Sequence, residues 1–334
     1  MSFYSGRSVL VVGGLGFIGV NLVTRLIDLH ARVVVVTPCR ARHPVRALEY
    51  EARGVRVMEA DVRDRAAMRV AVARHDVLFN LAGESGAIRS MEDPWTNLDV
   101  NCGGSLALLE ALRTRNPGAK LVFVGSRLEY GRPTQLPVRE EDVNEPVCIH
   151  AIHKLAVEQY LRLYQRLYGV RHSIARVTNP FGPGQPAGRS AYGVVNRMIH
   201  LALEDGVLTV YGDGSQQRDY IYVDDVVSAL LRLGETSVSD GRAYNVGTGQ
   251  PTRLVDMARL IVEIAGGGSI QHVEWPPLAE QIETGDFVAD ISRARREIQW
   301  SPAVTLTDGL RRMVECSRAA ATPCRVAASQ ASQR

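Results

Sequence analysis

The sequence predicts an α/β protein built on a doubly wound parallel sheet, with a smaller α/β domain after it. Short strands rich in valine and leucine alternate with amphipathic helices through the first half of the chain. These strands are continuously apolar, which is typical of a parallel sheet covered by helices on both faces. The segment 178–190, TNPFGPGQPAGRS, is rich in proline, glycine and asparagine, and it indicates a crossing between domains.

The first half supplies the alternation in order. SVLVV at 8–12 predicts a buried strand, and FIGVNLVTRLIDLH at 17–30 predicts the helix after it. Further strands are predicted at 32–36, 55–60, 76–82 and 120–125, and helices at 64–73 and 97–114. The stretch CIHAIHK, 148–154, opens another helix, which Gly169 is expected to cap. HSIARV at 172–177 is the next strand.

The second half predicts fewer strands. The expected elements are a helix near 191–204, strands around LTVYGDG, a helix at 224–233, a strand at AYNVG, and helices near 252–264 and 306–317. We therefore expect a cofactor domain over 1–180, with segments near 220–250 returning to it, and a substrate domain over 181–318. The tail 319–334 is Ala, Ser, Gln and Arg with little to bury, and it is expected to be disordered.

Composition narrows the class of protein. The chain has 334 residues, 46% hydrophobic, and a net charge of only +3, with arginines scattered rather than clustered. This argues against a nucleic-acid partner. The five cysteines form no C-x-x-C pair, which predicts neither a disulfide framework nor a zinc site. The first apolar run carries four glycines and is not typical of a leader or a membrane span, so we expect a cytoplasmic protein with no membrane partner.

A glycine loop follows the first strand and opens the first helix. GGLGFIG places Gly13, Gly16 and Gly19 in a G-x-x-G-x-x-G spacing. Glycine permits positive φ and a close approach of the backbone to a pyrophosphate, and the free N–H groups of the helix start then hold the negative charge. This context predicts a dinucleotide cofactor, although a glycine-rich turn without a ligand is the alternative.

The end of the second strand bears on which dinucleotide is bound. NAD selectivity usually comes from an acid at that point, which binds the ribose 2′-hydroxyl. Thr37 stands there instead, and Arg40 and Arg42 follow. An arginine can pair with a 2′-phosphate, so the cofactor is expected to be NAD or NADP, with NADP favoured. Asp61 after the third strand is placed either to bind the adenine amine or to cap a helix.

Nine motifs in order resemble one known family. They are GGLGFIG, ADVRD, NLAG, Asn101 in NCGGSLALLEAL, VGSRLEYG, the H-x-x-x-K stretch, RVTNPFGPGQ, YGDGSQQRDYIYVDD and YNVGTG. Together they resemble the extended short-chain dehydrogenase/reductase superfamily, in its nucleotide-sugar epimerase/dehydratase branch, over about residues 7 to 315. The resemblance implies a Rossmann domain that holds NAD(P), and a smaller domain that holds a nucleotide-diphosphate sugar.

The resemblance also implies which residues form the site. The cofactor would be bound by Gly13, Gly16, Phe17, Ile18, Gly19, Thr37, Arg40, Asp61, Val62, Leu81, Ala82, Gly83, Asn101, Lys154 and Val177. The nucleotide-sugar substrate would be bound by Ser85, Ser126, Arg127, Asn179 and Arg218. Asn179 and Arg218 would face the sugar diphosphate. For Arg218 the alternative is an ion pair with Asp219 or a neighbouring acid.

The implied catalytic group contains one unusual residue. Family members typically use Ser or Thr, Tyr and Lys, and this chain offers Ser126, His150 and Lys154. His150 and Lys154 share one helix face because they are four residues apart. A neutral imidazole can accept a proton, but the nearby positive charges disfavour the imidazolium and weaken it as a donor. The alternatives are that His153, Ser126 or a water does this work, or that the protein binds without catalysis.

Two further departures affect the expected reaction. Family 4,6-dehydratases carry Asp-Glu directly after the Ser or Thr, whereas this chain has Arg127 and Leu128, so dehydration is not expected. Arg127 is then available for a carboxylate, hydroxyls or phosphate, or for a salt bridge with Glu129 or Glu140. Glu283 and Thr284 occupy a stretch where many members have a diphosphate-binding arginine.

Three hypotheses for function follow. The first is a nucleotide-sugar epimerase, with inversion at C4 through a transient 4-keto sugar. The second is an NADPH-dependent reductase of a nucleotide 4-keto sugar, which the Thr37–Arg42 segment favours. The third is a non-catalytic binding protein, supported only by the missing tyrosine. The resemblance also implies a homodimer formed through helices 97–114 and 150–168.

Overall fold

The computed structural model describes residues 2–38, 40–185 and 193–331. Its strands, in chain order, are β1 (Ser8–Val12), β2 (Arg32–Thr37), β3 (Arg56–Glu59), β4 (Val77–Asn80), β5 (Lys120–Ser126), β6 (Arg171–Val177), β7 (Asn179–Phe181), β8 (Val207–Tyr211), β9 (Gln217–Arg218), β10 (Tyr220–Tyr222), β11 (Arg242–Val246), β12 (Thr252–Arg253) and β13 (Ser269–Val273).

The helices lie between these strands and after the last one. They are α1 (Phe17–Asp28), α2 (Pro44–Ala52), α3 (Arg65–Ala71), α4 (Ala87–Glu92), α5 (Pro94–Leu98), α6 (Gly104–Arg115), α7 (Ile149–Tyr168), α8 (Val194–Leu203), α9 (Val223–Glu235), α10 (Leu254–Ala265), α11 (Pro277–Gln281), α12 (Ser292–Ile298) and α13 (Leu306–Ala331). A π-helical turn, Asp99–Gly103, joins α5 to α6.

Seven strands form one parallel sheet in the order β11-β6-β5-β4-β1-β2-β3. The order reverses between β1 and β4, so the carboxyl ends of these strands meet at a crevice, where α/β sheets bind their ligands. Separate apolar cores cover the two faces of the sheet, one that includes α1 and α9 and one that includes α3, α6 and α7. The expected doubly wound parallel sheet is confirmed.

A third apolar core lies outside the main sheet. It joins α8, α10 and α13 with the parallel pair β8 and β13, and Phe181 and Tyr222 also pack into it. This is the smaller α/β unit that the sequence predicts. Strand β11 and helix α9, within 220–250, belong to the large sheet and the core on its face, although the chain has by then entered the smaller unit.

The element boundaries differ from expectation in several places. Helix α2 has no counterpart in the sequence analysis, and the helix expected over 97–114 is divided into α5, the π turn and α6. The start of the helix expected near 191 lies outside the described residues, and α8 begins at Val194. Helix α13 continues to Ala331, into the tail expected to be disordered; alanine, the strongest helix former, is frequent there.

Within the described part of the chain, no helix is long and apolar enough to cross a membrane.

Candidate active site

The glycine loop leaves its backbone open at the carboxyl end of β1. Gly13 has φ +84°, and a Cβ there would come within 2.8 Å of the amide nitrogen of Ala82. A Cβ on Gly19 would lie 2.3 Å from the carbonyl oxygen of Gly13, so only glycine lets α1 start this close to the loop. Gly16 caps α1 without a side chain, which leaves the first N–H groups of the helix free for an anion.

The end of β2 is occupied by contacts within the fold. The guanidinium of Arg40 donates to both carboxylate oxygens of Glu51, at 2.6 and 2.8 Å. Its backbone N–H donates to Glu59 at 3.2 Å. One of the two arginines on which the NADP preference rested is therefore paired with a residue of α2, and that preference stays a prediction.

Asp61 does not cap a helix in this structure. Its carboxylate accepts from the backbone N–H and the guanidinium of Arg63, and these hydrogen bonds lower the pKa of Asp61. Asp64 caps α3 instead, by accepting from Ala66 and Ala67. Of the two alternatives for Asp61, the helix cap is wrong, and the adenine contact stays a prediction.

The carboxyl end of β4 meets the π turn. Asn101, on that turn, donates through Nδ2 to the carbonyl oxygen of Glu84 at 3.0 Å and to Oδ1 of Asn97 at 2.8 Å. Its own Oδ1 is buried without a hydrogen-bond partner. A Cβ on Gly83 would lie 2.5 Å from that oxygen and 3.4 Å from Nζ of Lys154. The buried unpartnered oxygen and this narrow, side-chain-free approach suit a bound cofactor.

Ser126 ends β5 and caps the short 3₁₀ turn Arg127–Tyr130. Its Oγ accepts from the backbone N–H of Leu128 at 3.2 Å, and its own N–H donates to the carboxylate of Glu129 at 2.7 Å. This reciprocal cap fixes the serine while the proton of its hydroxyl stays available to donate.

His150 lies buried at the start of α7. Its backbone N–H donates to Oγ of Ser90 at 3.0 Å, and Nδ1 lies 3.0 Å from the carbonyl oxygen of Glu84. A carbonyl oxygen can only accept, so Nδ1 carries the proton and Nε2 presents its lone pair. Burial, and then the charge of Lys154, lower the pKa of His150 to about 3. The imidazole is therefore neutral, and Nε2 is the basic atom.

Lys154 joins α7 to β5 one helical turn later. Its ammonium donates to the carbonyl oxygen of Val124 at 2.9 Å, two residues before Ser126. Burial lowers the pKa of Lys154 to about 8. His153 points elsewhere, because its Nδ1 contacts Oδ1 of Asn97 at 2.8 Å. Helix α7 thus brings His150 and Lys154 to the ends of β4 and β5, where Gly83 and Ser126 stand.

The predicted sugar residues form a second group. Arg127 donates through Nε to Oδ1 of Asn179 at 3.1 Å and through Nη1 to Oγ1 of Thr284 at 2.9 Å. Glu129 and Glu140, the alternative partners for Arg127, form salt bridges with Arg176 and Arg293 instead. Both Glu283 and Thr284 line a cleft of about 750 Å³.

Arg218 pairs with a neighbouring acid. Its guanidinium contacts the carboxylate of Glu283 and donates to the carbonyl oxygens of Gln217 and Gly285. Asp219, the other alternative, is buried and accepts from Thr248 instead. The ion pair expected as the alternative for Arg218 therefore exists, with Glu283 as the acid.

The remaining predicted residues lie around these groups. Val62 packs against Gly104, and Val177 is the buried last residue of β6. Phe17 and Ile18 are the first residues of α1. Leu81 and Ala82 follow β4, as does Ser85, which is half-buried.

Sequence reasoning missed a buried acid cluster behind Ser126. Arg176 donates to both carboxylate oxygens of Glu158 at 2.8 and 2.7 Å, and all three side chains, including Glu129, are at most 1% exposed. Burial and the negative charge of Glu158 raise the pKa of Glu129 well above its usual range. The signal in the sequence was an acid in the short turn RLEY, directly after an apolar strand.

Comparison with known proteins identifies the family. The model of the NAD dependent epimerase/dehydratase family matches residues 9–247, more than half of the chain. The chain belongs to this family. A UDP-glucose 4-epimerase of Mycolicibacterium smegmatis is 31% identical over 312 residues, which cover 92% of this chain and 98% of the relative.

Two solved structures share the fold. A UDP-glucose 4-epimerase of Thermotoga maritima with UDP-glucose has a TM-score of 0.84 and 29% identity, covering 94% of this chain and 99% of that one. A UDP-glucose 4-epimerase of Thermus thermophilus in complex with NAD has a TM-score of 0.83 and 29% identity, covering 92% and 98%.

Proposed function

We propose that this chain is an NAD-dependent epimerase of nucleotide sugars, which inverts C4 through a transient 4-keto sugar. The observation that carries the proposal is the neutral His150, with Nε2 unprotonated, one helical turn before Lys154. The names and bound ligands of the relatives support the substrate class and the use of NAD.

The loop of Gly13, the start of α1, Gly83 and Asn101 would hold the cofactor, which supplies a hydride acceptor when bound. Lys154 would bind its ribose and place a positive charge beside the imidazole. Ser126 would donate its hydroxyl proton to the reacting oxygen of the sugar, and Nε2 of His150 would accept the proton of the C4 hydroxyl. Because the same sugar oxygen regains a proton when the ketone is reduced, the proton held on His150 can be returned there.

The low pKa of His150 makes this histidine a weak base. With a folded pKa of about 3 against an ordinary 6.5, protonation in the native site is disfavoured by about 5 kcal/mol more than in water. We therefore expect slow turnover, limited by proton transfer, and a strong driving force for returning the proton to the substrate.

Arg218 is proposed to bind the diphosphate, after its ion pair with Glu283 opens. A planar guanidinium suits paired hydrogen bonds to phosphate oxygens. Arg218 is already held by two carbonyl oxygens, one of them that of Gly285, which lines the cleft. A homodimer is also proposed, because α6 and α7 expose Leu106, Leu163 and Leu167. Light scattering coupled to gel filtration would test the dimer.

The reductase remains the second hypothesis for the reaction, and the relatives named above give it no support. The experiment that separates the two uses purified protein with UDP-glucose or a UDP-4-keto-hexose, followed by absorbance at 340 nm and by NMR of the products. The proposal expects the C4 epimer with no net change in NAD(P)H. Consumption of NADPH with the keto sugar alone would replace it with the reductase.

Variants at position 150 test the role of the histidine. His150→Ala should abolish epimerisation, whereas His150→Tyr should retain or raise it, because a phenol beside a lysine is the arrangement typical of the family. A silent wild-type protein that gains activity with His150→Tyr would refute the proposal and support the third hypothesis, binding without catalysis.

A further inference from the structure

Arg127 is buried beside the proposed reacting centre without an acidic partner. Its side chain is 8% exposed, and within the described ranges it forms no ion pair with Asp or Glu. Arginine has five N–H donors, and two are used here, toward Asn179 and Thr284. Nη2 has no hydrogen-bond acceptor among the described residues, so it is available to an acceptor that the protein does not itself supply.

The guanidinium is also fixed in direction. Nε and one proton of Nη1 are held at 3.1 and 2.9 Å, and the ring of Phe287 lies 5.4 Å from the guanidinium carbon. The donors left over are the second proton of Nη1 and both protons of Nη2. Together they form the outer edge of the guanidinium, whose paired N–H groups match the two oxygens of a carboxylate.

The charges around Arg127 favour an anion there. Burial, and then the positive charge of Arg218, lower the pKa of Arg127 to about 9. Of the two carboxylates near Arg127, Glu283 pairs with Arg218, and Asp219 accepts from backbone N–H groups of Thr248, Gly249 and Ala289. No carboxylate therefore pairs directly with the outer edge of Arg127, where an anionic substrate group would find an unpaired cation.

We propose, resting on the proposed function, that Arg127 selects sugars that carry a carboxylate next to the reacting carbon, so that the substrate is a nucleotide-linked hexuronate. Arg127 follows Ser126 and donates to Asn179, so its guanidinium lies among the proposed sugar-binding residues next to the serine. The diphosphate has its own guanidinium in Arg218. The carboxylate at C6 of a uronate is the anionic group that remains for Arg127.

Binding measurements by titration calorimetry test this, with UDP, UDP-glucose and UDP-glucuronate as probes of the full-length protein. We expect UDP-glucuronate to bind about 10- to 100-fold more tightly than UDP-glucose, the effect of charge-assisted hydrogen bonds. Arg127→Leu should remove this preference while leaving the affinity for UDP unchanged. Arg127→Lys keeps the positive charge but loses the planar guanidinium, and it should retain part of the preference for UDP-glucuronate. Arg139→Leu, an exposed arginine near Asp290, is the matched control.

Several results would overturn the inference. Equal affinities of the wild type for UDP-glucose and UDP-glucuronate would do so. An equal loss of affinity for UDP and both sugars in Arg127→Leu would also do so, because it would assign the arginine to the diphosphate. If UDP-glucuronate binds preferentially but NMR detects no epimer, the proposed reaction fails and the carboxylate site stands. If neither sugar binds, both proposals fail.

Discussion

The buried neutral state of His150 makes a quantitative prediction about acid stability. The pKa of His150 is about 3 in the folded protein and about 6.5 in the unfolded chain. Between these values the unfolded chain binds more protons, so the free energy of unfolding rises with pH and falls as the solution is acidified. At pH 5 the unfolded histidine is almost fully protonated while native His150 stays neutral, which removes about 2 kcal/mol of stability relative to pH 8.

The assay is urea unfolding at pH 8 and pH 5, for the wild type and for His150→Gln. Glutamine does not titrate, and its amide can still donate to the carbonyl oxygen of Glu84. The contributions of the other titrating groups cancel in the difference in unfolding free energy between wild type and variant. From pH 8 to pH 5 the wild type should lose about 2 kcal/mol more stability than the variant. His200→Gln changes an exposed histidine, with 54% of its side chain accessible, and should leave the acid loss in place.

The outcome that refutes this reasoning is a wild-type minus variant difference that is equal at pH 5 and pH 8. It would mean that His150 titrates alike in both states, and hence that water reaches the imidazole. The histidine would then be an ordinary base at neutral pH, and the slow turnover expected for it would lose its physical cause.

Three further predictions concern the same site. Raising the pH through about 8 should lower kcat/KM as Lys154 loses its proton, and Lys154→Arg, which stays charged, should give a lower but flat profile. Gly83→Ala should lower the unfolding free energy by about 1–3 kcal/mol, measured in urea, because its Cβ would lie 2.5 Å from Oδ1 of Asn101. Glu283→Gln should tighten UDP binding by roughly 5-fold in calorimetry, since Arg218 is released and a repelling charge removed.

Each of these has a control and a contrary result. A wild-type rate that stays level to pH 10 contradicts the role given to the charge of Lys154. Gly118→Ala should cost far less than Gly83→Ala, because a Cβ at Gly118 meets nothing within 4 Å; equal costs would contradict the steric argument. Unchanged or weaker binding of UDP by Glu283→Gln would contradict the idea that Glu283 competes with the ligand for Arg218.

The local features of this protein could be predicted from its sequence. Gly13 and Gly19 mark a strand–loop–helix turn by their spacing, and the apolar strands define the parallel sheet. His150 and Lys154 share a helix face by their separation of four residues. These features depend on short-range geometry, which residue type and spacing determine directly.

The partners of the charged residues could not be predicted in the same way. Arg40 meets Glu51 because α2 packs beside β3, and Arg218 meets Glu283 because the chain returns 65 residues later. The burial of Glu129 depends on α7 and β6 closing around the turn after β5. Such contacts are set by tertiary placement, and a charge in a loop looks the same in the sequence whether it faces solvent, another side chain or a ligand.

The π turn at Asp99–Gly103 also constrains how this chain can change in length. A π turn holds one residue more than the α-helical turn it replaces, and each residue rotates an α-helix by about 100°. Deleting one residue there would therefore turn α6 about its axis relative to α5. Either Asn101 would leave the carbonyl oxygen of Glu84, or Leu108 and Leu112 would leave the core. Substitutions can be absorbed in this segment, but a change in its length would put the Asn101 side and the apolar side of one helix out of phase.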